Sequence, residues 1–166
     1  MRLLVSLYAS FFLLSSESAM GSEPRNGTMI LTQEQAEALA EKIKENTPEN
    51  THARGATFAW VYLTFGKKIP ANVRRAVIKV FSTYYVVYLS EKRIPPDQIY
   101  RDHGEITGYK DGFQFTVGDV NYRNYNTIEA SFSDWVGNLA ASGRTIAYSW
   151  DGKAWIIVEK GPMWIS

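Results

Sequence analysis

The chain has 166 residues, of which 45% are hydrophobic and 21% charged, and its formal net charge is +1. This composition is typical of one globular domain with a sizeable core. Lysine and arginine are scattered and form no basic run, so the sequence carries no electrostatic footprint for nucleic acid. The lack of cysteine excludes disulfides, thiolate catalysis and cysteine-ligated metal. No cofactor and no metal site are predicted.

The N-terminal segment from Met1 to Gly21 has the pattern of a secretory signal peptide. Arg2 supplies the positive start, Leu3 to Leu14 the apolar stretch, and Ala19-Met20-Gly21 a small-x-small cleavage site. The apolar stretch is too short for a membrane span, so we expect a secreted or periplasmic protein without membrane insertion after signal removal. The alternative is that translation starts at Met20.

Two helices are predicted after a flexible leader at residues 22–30. Thr32-Gln33-Glu34-Gln35 is a capping box, and apolar residues recur at helical spacing until Asn46-Thr47-Pro48 ends the first helix. A second, longer amphipathic helix starts at Ala71. We favour a helix that continues through residues 83–89, because the apolar residues keep helical spacing there, although their high β-propensity makes a strand the alternative.

The remaining segments indicate strands. Residues 57–65 are aromatic and branched, which is typical of a buried strand, although a short buried helix is an alternative. The C-terminal half then alternates strand segments with turn residues: 105–109, 113–117, 120–125, 127–135 and a hairpin at 144–159.

The hairpin has a marked turn, because Asp151-Gly152 suits the two positive φ angles of a type I′ turn. This turn predicts cross-strand pairs of Trp150 with Lys153, Tyr148 with Trp155, Ile146 with Ile157, and Arg144 with Glu159. A second turn at Gly118-Asp119 predicts pairs of Phe115 with Tyr122 and Val117 with Val120.

Together these elements predict a single α+β domain over residues 31–166. Two N-terminal helices would pack on a curved antiparallel β-meander of about five to six strands. This layout is similar to cystatin-like and nuclear-transport-factor-2-like folds, which host inhibitors, pockets and enzymes alike.

Acid and base residues cluster at Asp102-His103-Gly104-Glu105. A histidine beside carboxylates is suited to general base catalysis, because the carboxylate orients the ring and raises its basicity. The other histidine, His52, lies in a different loop. One functional hypothesis is therefore a small hydrolase or isomerase, with a pocket between helix and sheet that uses His103 with Asp102 or Glu105.

Aromatic residues support a different hypothesis, because the chain contains five Trp, ten Tyr and eight Phe. Trp135 shares strand parity with polar residues and Trp150 lies at the hairpin tip, so both are candidate ligand-binding residues. We favour this second hypothesis, a non-enzymatic exported binding or inhibitory domain that takes a protein or carbohydrate ligand through the aromatic residues of its sheet.

Near the C-terminus, the chain faintly resembles periplasmic lysozyme inhibitors of the membrane-bound C-type class, in which a Ser-Gly and a Lys-Gly flank two strands. The resemblance covers about the last twenty-five residues. It is carried by Ser142-Gly143, Tyr148, Trp155 and Lys160-Gly161. The two predicted helices, the lack of cysteine and a longer spacing depart from that family, so no inhibitory role is carried over to Ser142 and Lys160.

Overall fold

The computed structural model describes residues 30–50, 53, 56–137 and 140–166. The expected signal peptide, its cleavage site, residues 22–29 of the leader and His52 lie outside the described residues. In the described part of the chain, no helix is both long and apolar enough to cross a membrane. This part forms a mixed α+β fold with two α-helices and one nine-stranded, mostly antiparallel sheet.

The helices are α1, Gln33–Lys44, and α2, Ala71–Tyr84. In chain order the strands are β1 Trp60–Phe65, β2 Val86–Tyr88, β3 Ile99–Asp102, β4 Glu105–Tyr109, β5 Gly112–Asn124, β6 Thr127–Gly137, β7 Ala140–Trp150, β8 Trp155–Lys160 and β9 Trp164–Ile165.

Helix α1 begins at the predicted capping box. The Thr32 hydroxyl accepts from the Gln35 backbone N–H at 3.1 Å, and the Gln35 side chain accepts from the Thr32 N–H at 3.0 Å. These two bonds satisfy N–H groups that have no partner inside the helix. Past the end of the helix, Asn46 donates from its side chain to the Lys42 carbonyl at 2.8 Å. Both predicted ends of the first helix are thus confirmed.

The segment 83–89 is divided between the two structures that its sequence suggested. Helix α2 continues to Tyr84, and the Tyr85 N–H still donates to the Phe81 carbonyl at 2.9 Å. Strand β2 then starts at Val86 and pairs in parallel with β1. The β-branched pair Val86-Val87 favours this extended conformation once the helix has ended.

The sheet is larger and less uniform than the predicted meander. Strands β5, β6, β7 and β8 are successive antiparallel neighbours, as expected, but β1 lies between β2 and β5 and is parallel to both. The β3–β4 hairpin joins the sheet through one pair, Gly108 with Gly137. The expectation of five to six strands is therefore replaced by nine.

The predicted turn at Gly118-Asp119 is wrong, because β5 continues through these residues as an irregularity in its pairing with β6. Phe115 pairs with Asp134 and Val117 with Phe132, so the predicted pairs within 115–122 do not form. A Cβ on Gly118 would stand 2.1 Å from Ser131 Oγ. The Asp119 carboxylate accepts from the Lys68 N–H at 2.9 Å, outside the sheet. Contacts with distant residues thus hold this Gly-Asp pair in a bulge.

The predicted register of the β7–β8 hairpin is also wrong. Asp151 accepts from the N–H groups of Lys153 (2.8 Å) and Ala154 (2.7 Å), and these bonds widen the connection to a four-residue loop. Gly152 does have positive φ, at 100°. The observed pairs are Trp150 with Trp155, Tyr148 with Ile157, Ala147 with Glu159, and Ile146 with Lys160. Arg144 does not meet Glu159; it pairs with Phe132 in β6.

The two faces of the sheet differ in what covers them. One face, here called the inner face, carries residues such as Leu63, Phe115 and Ile146, which form one buried cluster with apolar residues of both helices. Trp155 belongs to this cluster, and its indole N–H donates to the Gln35 carbonyl at 2.8 Å. The opposite or outer face carries a smaller cluster at one end, built from Trp60, Ile94 and Tyr109.

Candidate ligand-binding site

The acid and base candidates lie at the tip of the β3–β4 hairpin. His103 and Gly104 are the two central turn residues, with φ of 48° and 88°, and Asp102 pairs with Glu105 across them. His103 Nε2 is 3.6 Å from Asp102 Oδ1, but the two side chains are 96% and 72% exposed. The structure therefore brings these residues together in solvent, outside the two clefts described below. No group of three or more His, Asp or Glu residues suited to a metal ion occurs among the described residues.

The two aromatic candidates lie on different faces of the sheet. Trp150 is partly buried on the inner face, where its ring meets Trp155 at 5.2 Å between centroids. Trp135 is partly buried on the outer face and contacts Tyr109 edge to face at 5.2 Å. Its predicted parity holds along β6, because Ile128, Ala130, Phe132 and Asp134 are buried while Glu129, Ser131, Ser133 and Trp135 are partly exposed.

A further tryptophan, Trp164, stands out on the outer face. It lies on β9, which is only two residues long and pairs with β7 through Ser142 and Gly143. A Cβ on Gly143 would stand 2.5 Å from Cζ2 of the indole, so the ring fills the space above this glycine. Trp164 is nevertheless 52% exposed. The glycine therefore supports one side of the ring while much of the rest faces solvent.

Small hydroxyl side chains form the surface beside Trp164. Cross-strand pairing aligns Thr64 with Thr116, Thr116 with Ser133, and Ser133 with Gly143 under the indole. The Thr64 and Thr116 hydroxyls are 2.6 Å apart. Ser131 and Thr145 form the next pair along β6 and β7. Neighbouring strands are about 4.8 Å apart, so the hydroxyls repeat at roughly that interval across the sheet.

These residues line a cleft of about 340 Å³, here called the outer cleft. Its lining residues are Thr116, Gly118, Ser131, Phe132, Ser133, Arg144, Thr145, Pro162 and Trp164. Arg144 is the one ionisable residue among them, and its Nη2 donates to Asn46 Oδ1 at 2.7 Å, beyond the end of α1. The guanidinium is thus held on the inner side of the sheet, and hydroxyls and one indole dominate the outer cleft.

Charges on the outer face neutralise each other further along the strands. Arg123 Nε donates to Glu129 Oε2 at 2.7 Å, and Arg123 Nη1 donates to the Glu159 carboxylate. The hydrogen bond from Arg123 lowers the pKa of Glu159. Because the cation is shared between two carboxylates, it is not directed at the outer cleft.

A second cleft, of about 350 Å³, lies between the end of α1 and strands β7 and β8. It carries charges of both signs, from Glu45, Arg144 and Lys160. The Arg144 guanidinium is already bonded to Asn46, and Lys42 forms an ion pair with Glu45 at 2.8 Å. Arg144 and Glu45 are thus already paired, and the second cleft has no exposed aromatic ring among its lining residues, so the outer cleft is the better candidate ligand site.

The residues that carry the lysozyme-inhibitor resemblance are not gathered in the outer cleft. Ser142 is buried, and its hydroxyl donates to Asp134 Oδ1 at 2.7 Å, while Lys160 is exposed on β8. No protein-family model, curated protein or solved structure matches this chain.

Proposed function

We propose that this protein is a non-enzymatic binding domain, whose ligand lies in the outer cleft and contacts Trp164. The observation that carries the proposal is the exposed indole, which lies over Gly143 beside a row of hydroxyl side chains. Aromatic rings offer a large, rigid contact area, and exposed ones are common at binding sites. Trp135 lies on the same face, at the boundary between the small apolar cluster and the hydroxyl row.

The predicted export fits this proposal, because a binding domain can act outside the cytoplasm without a cofactor. The signal-peptide pattern at residues 1–21 remains the basis for a secreted or periplasmic location. A cystatin-like or nuclear-transport-factor-2-like arrangement of helices and sheet likewise stays a prediction, and such folds host pockets, inhibitors and enzymes alike.

The enzymatic alternative has less support. General base catalysis requires a histidine held near its substrate in a site with restricted water. His103 is 96% exposed at a hairpin tip and borders neither described cleft. Its positive φ also identifies it as a turn residue, a position where histidine occurs without a catalytic role.

Nuclear magnetic resonance tests the site directly. Amide and indole N–H shifts would be followed while the ¹⁵N-labelled protein is titrated with short peptides of either charge and with neutral oligosaccharides. We expect at least one probe to shift the Trp164 indole and the amides of Ser133 and Gly143. Trp164→Ala should abolish the response, whereas Tyr125→Ala should not, since Tyr125 is 60% exposed but lies at the β5–β6 turn. Shifts confined to the His103 turn, or absent from the outer face for every probe, would contradict the proposal.

A further inference from the structure

We infer that the ligand of the outer cleft is a neutral oligosaccharide that lies across the strands, with one sugar ring stacked on Trp164. This inference rests on the proposed function and names the ligand class. It depends on three features of the outer cleft: the state of its hydroxyl groups, the lack of a directed charge, and the geometry of the indole.

Three of the four hydroxyl side chains that line the outer cleft are free to bind a polar ligand. Among the described residues, Thr64 and Thr116 bond each other, while no hydrogen bond engages the hydroxyls of Ser131, Ser133 and Thr145. A serine or threonine hydroxyl both donates and accepts. A ligand that is itself rich in hydroxyls can match such a surface at every position, because each of its groups also donates and accepts.

Charge argues for a neutral ligand. An anionic saccharide or a phosphorylated group would need a directed cation, as arginine and lysine provide in anion sites. Arg144 is bonded to Asn46, and Arg123 is bonded to Glu129 and Glu159. A cationic ligand would equally need a free carboxylate or an aromatic cage, and the outer cleft is lined by one tryptophan.

The indole is presented as a platform. Gly143 brings the backbone of β7 against the ring, which blocks one side and leaves Trp164 52% exposed. An aromatic face is apolar and its surroundings here are polar, so the favoured partner is a group with an apolar face and a hydroxylated rim. Pyranose rings have this form, with C–H groups on one side and hydroxyls around the edge.

The extent of the row indicates an oligomer and not a single sugar. Thr64, Thr116 and Ser133 lie on the neighbouring strands β1, β5 and β6 of the sheet. Gly143, with its overlying indole, lies on the adjacent strand β7. Three strand spacings of about 4.8 Å give a row of about 14 Å. A short oligosaccharide covers this distance, whereas one pyranose ring contacts only part of it.

An extended peptide fits the outer cleft less well. Peptides bind sheets chiefly by adding a strand at an open edge, where backbone N–H and C=O groups are unpaired. The hydroxyl row crosses β1, β5 and β6 and ends at Gly143 on β7, and each of these strands has paired neighbours on both sides. A peptide across these strands would lack main-chain partners, and the edge strand β9 beside them is only two residues long.

Isothermal titration calorimetry with named neutral probes tests the inference: chitohexaose, cellohexaose, maltohexaose and xylohexaose. A polygalacturonate oligomer, a heparin-derived oligomer and a neutral hexapeptide serve as contrasts. We expect at least one neutral oligosaccharide to bind, with an affinity that is unchanged within about twofold between 50 and 500 mM salt, since no ion pair is formed. Trp164→Ala should weaken this binding at least about tenfold.

Matched variants separate the indole from the hydroxyls. Ser133→Ala and Thr145→Val should each weaken binding about two- to tenfold, because each removes a hydrogen bond to the ligand. Tyr125→Ala should leave the affinity unchanged. Trp164→Phe keeps an aromatic face and should retain part of the affinity. Circular dichroism and urea unfolding verify that every variant is folded.

The outcomes distinguish this inference from the broader proposal. Binding of the neutral hexapeptide alone, with shifts at Trp164 and Ser133, would overturn the saccharide assignment and leave the binding domain standing. Binding restricted to the charged oligomers, with strong salt dependence, would do the same. Failure of every probe to perturb the outer face would overturn both.

Discussion

Trp60 and Trp164 lie on the same outer face of the sheet, and each covers a glycine of the neighbouring strand. A Cβ on Gly112 would stand 2.2 Å from the Trp60 ring, and a Cβ on Gly143 would stand 2.5 Å from the Trp164 ring. Yet Trp60 is 4% exposed and Trp164 is 52% exposed. The same local arrangement thus produces a core residue at one end of the face and an open platform at the other.

The difference comes from the chain that follows β2. The connection to β3 and the β3–β4 hairpin bring Ile94 and Tyr109 over Trp60, which contacts Tyr109 at 5.1 Å and Tyr88 at 5.6 Å. The Trp60 indole N–H donates to the Lys110 carbonyl at 3.0 Å. The Trp164 indole N–H donates to no acceptor among the described residues. A tryptophan that packs on a glycine therefore becomes a core residue where other segments cover it. It stays accessible to a ligand where none does.

The largest contrast is expected from truncation of each ring. Trp60→Ala should lower the free energy of unfolding by about 3–5 kcal/mol, because it leaves a cavity among Ile94, Tyr88 and Tyr109 and an unpaired Lys110 carbonyl. Trp164→Ala should cost about 1 kcal/mol or less, since the residue is already 52% exposed. Urea denaturation followed by far-ultraviolet circular dichroism measures both. Equal losses in the two variants would contradict the distinction.

Adding one methyl group beneath each ring gives the next contrast. Gly112→Ala places a Cβ against an indole that has no room to move, and we expect a loss of about 2 kcal/mol or more. Gly143→Ala should cost less, because the exposed Trp164 ring can rotate into solvent, but it should weaken oligosaccharide binding by displacing the platform. Thermal unfolding and calorimetric titration of the two variants test the pair. A Gly112→Ala protein as stable as the parent would show that Trp60 is not fixed in place.

Alkaline pH tests the layer that covers Trp60. Burial, followed by the nearby Glu91 carboxylate, raises the pKa of Tyr109 to about 12 from 10.0. The folded state thus resists deprotonation more than the unfolded chain, so the stabilisation is complete below pH 10 and is lost as pH rises towards 12. We expect the loss from Tyr109 to reach roughly 2 kcal/mol. Tyr109→Phe should lose less stability than the parent over this pH range, as measured by urea titrations at successive pH values.

We assign the loss of stability that remains at alkaline pH in Tyr109→Phe to a second tyrosine. Burial also raises the pKa of Tyr148, which lies on the inner face among the core residues. The double variant Tyr109→Phe/Tyr148→Phe should therefore show a flatter profile than either single variant. An unchanged profile in Tyr109→Phe would mean that the covering layer opens before the tyrosine ionises.

Local signals in the sequence predicted the helices well. The capping box at Thr32 depends on bonds within one helical turn, and the apolar spacing in α2 depends on residues three and four apart. These contacts form within a short segment, so they do not depend on how the rest of the chain folds. Composition and turn residues likewise located the segments of β1, β4, β5, β6 and the β7–β8 hairpin, but the short strands β3 and β9 were not predicted.

Strand pairing was not predictable in the same way. Gly118-Asp119 has the composition of a turn, but its outcome is decided by Ser131 and Lys68, which are distant in sequence. Asp151 likewise used its own carboxylate to bond two backbone N–H groups, which moved the register of β8. The parallel pairs of β1 join segments separated by a helix, and no periodicity within β1 encodes them.

The candidate site was half predictable. The face on which Trp135 lies follows from the alternation of buried and partly exposed residues along β6, which is a long strand. Trp164 lies on a two-residue strand, which is too short to alternate. A signal was present elsewhere, because Gly143 lies inside a strand, and an interior glycine often marks a close approach by another group.

Fluorescence quenching gives the smallest but most direct measure of the contrast between the covered and open ends of the outer face. Iodide reaches exposed indoles and not buried ones. Trp164→Phe should remove the most quenchable component of the emission and change stability by less than about 1 kcal/mol. Trp135→Phe should remove a component of intermediate accessibility, since Trp135 is partly buried against Tyr109 at the boundary of the small cluster. If the Trp164→Phe protein kept the full quenchable fraction, the Trp164 ring would be covered in solution, and the outer cleft would have no exposed aromatic platform for a sugar.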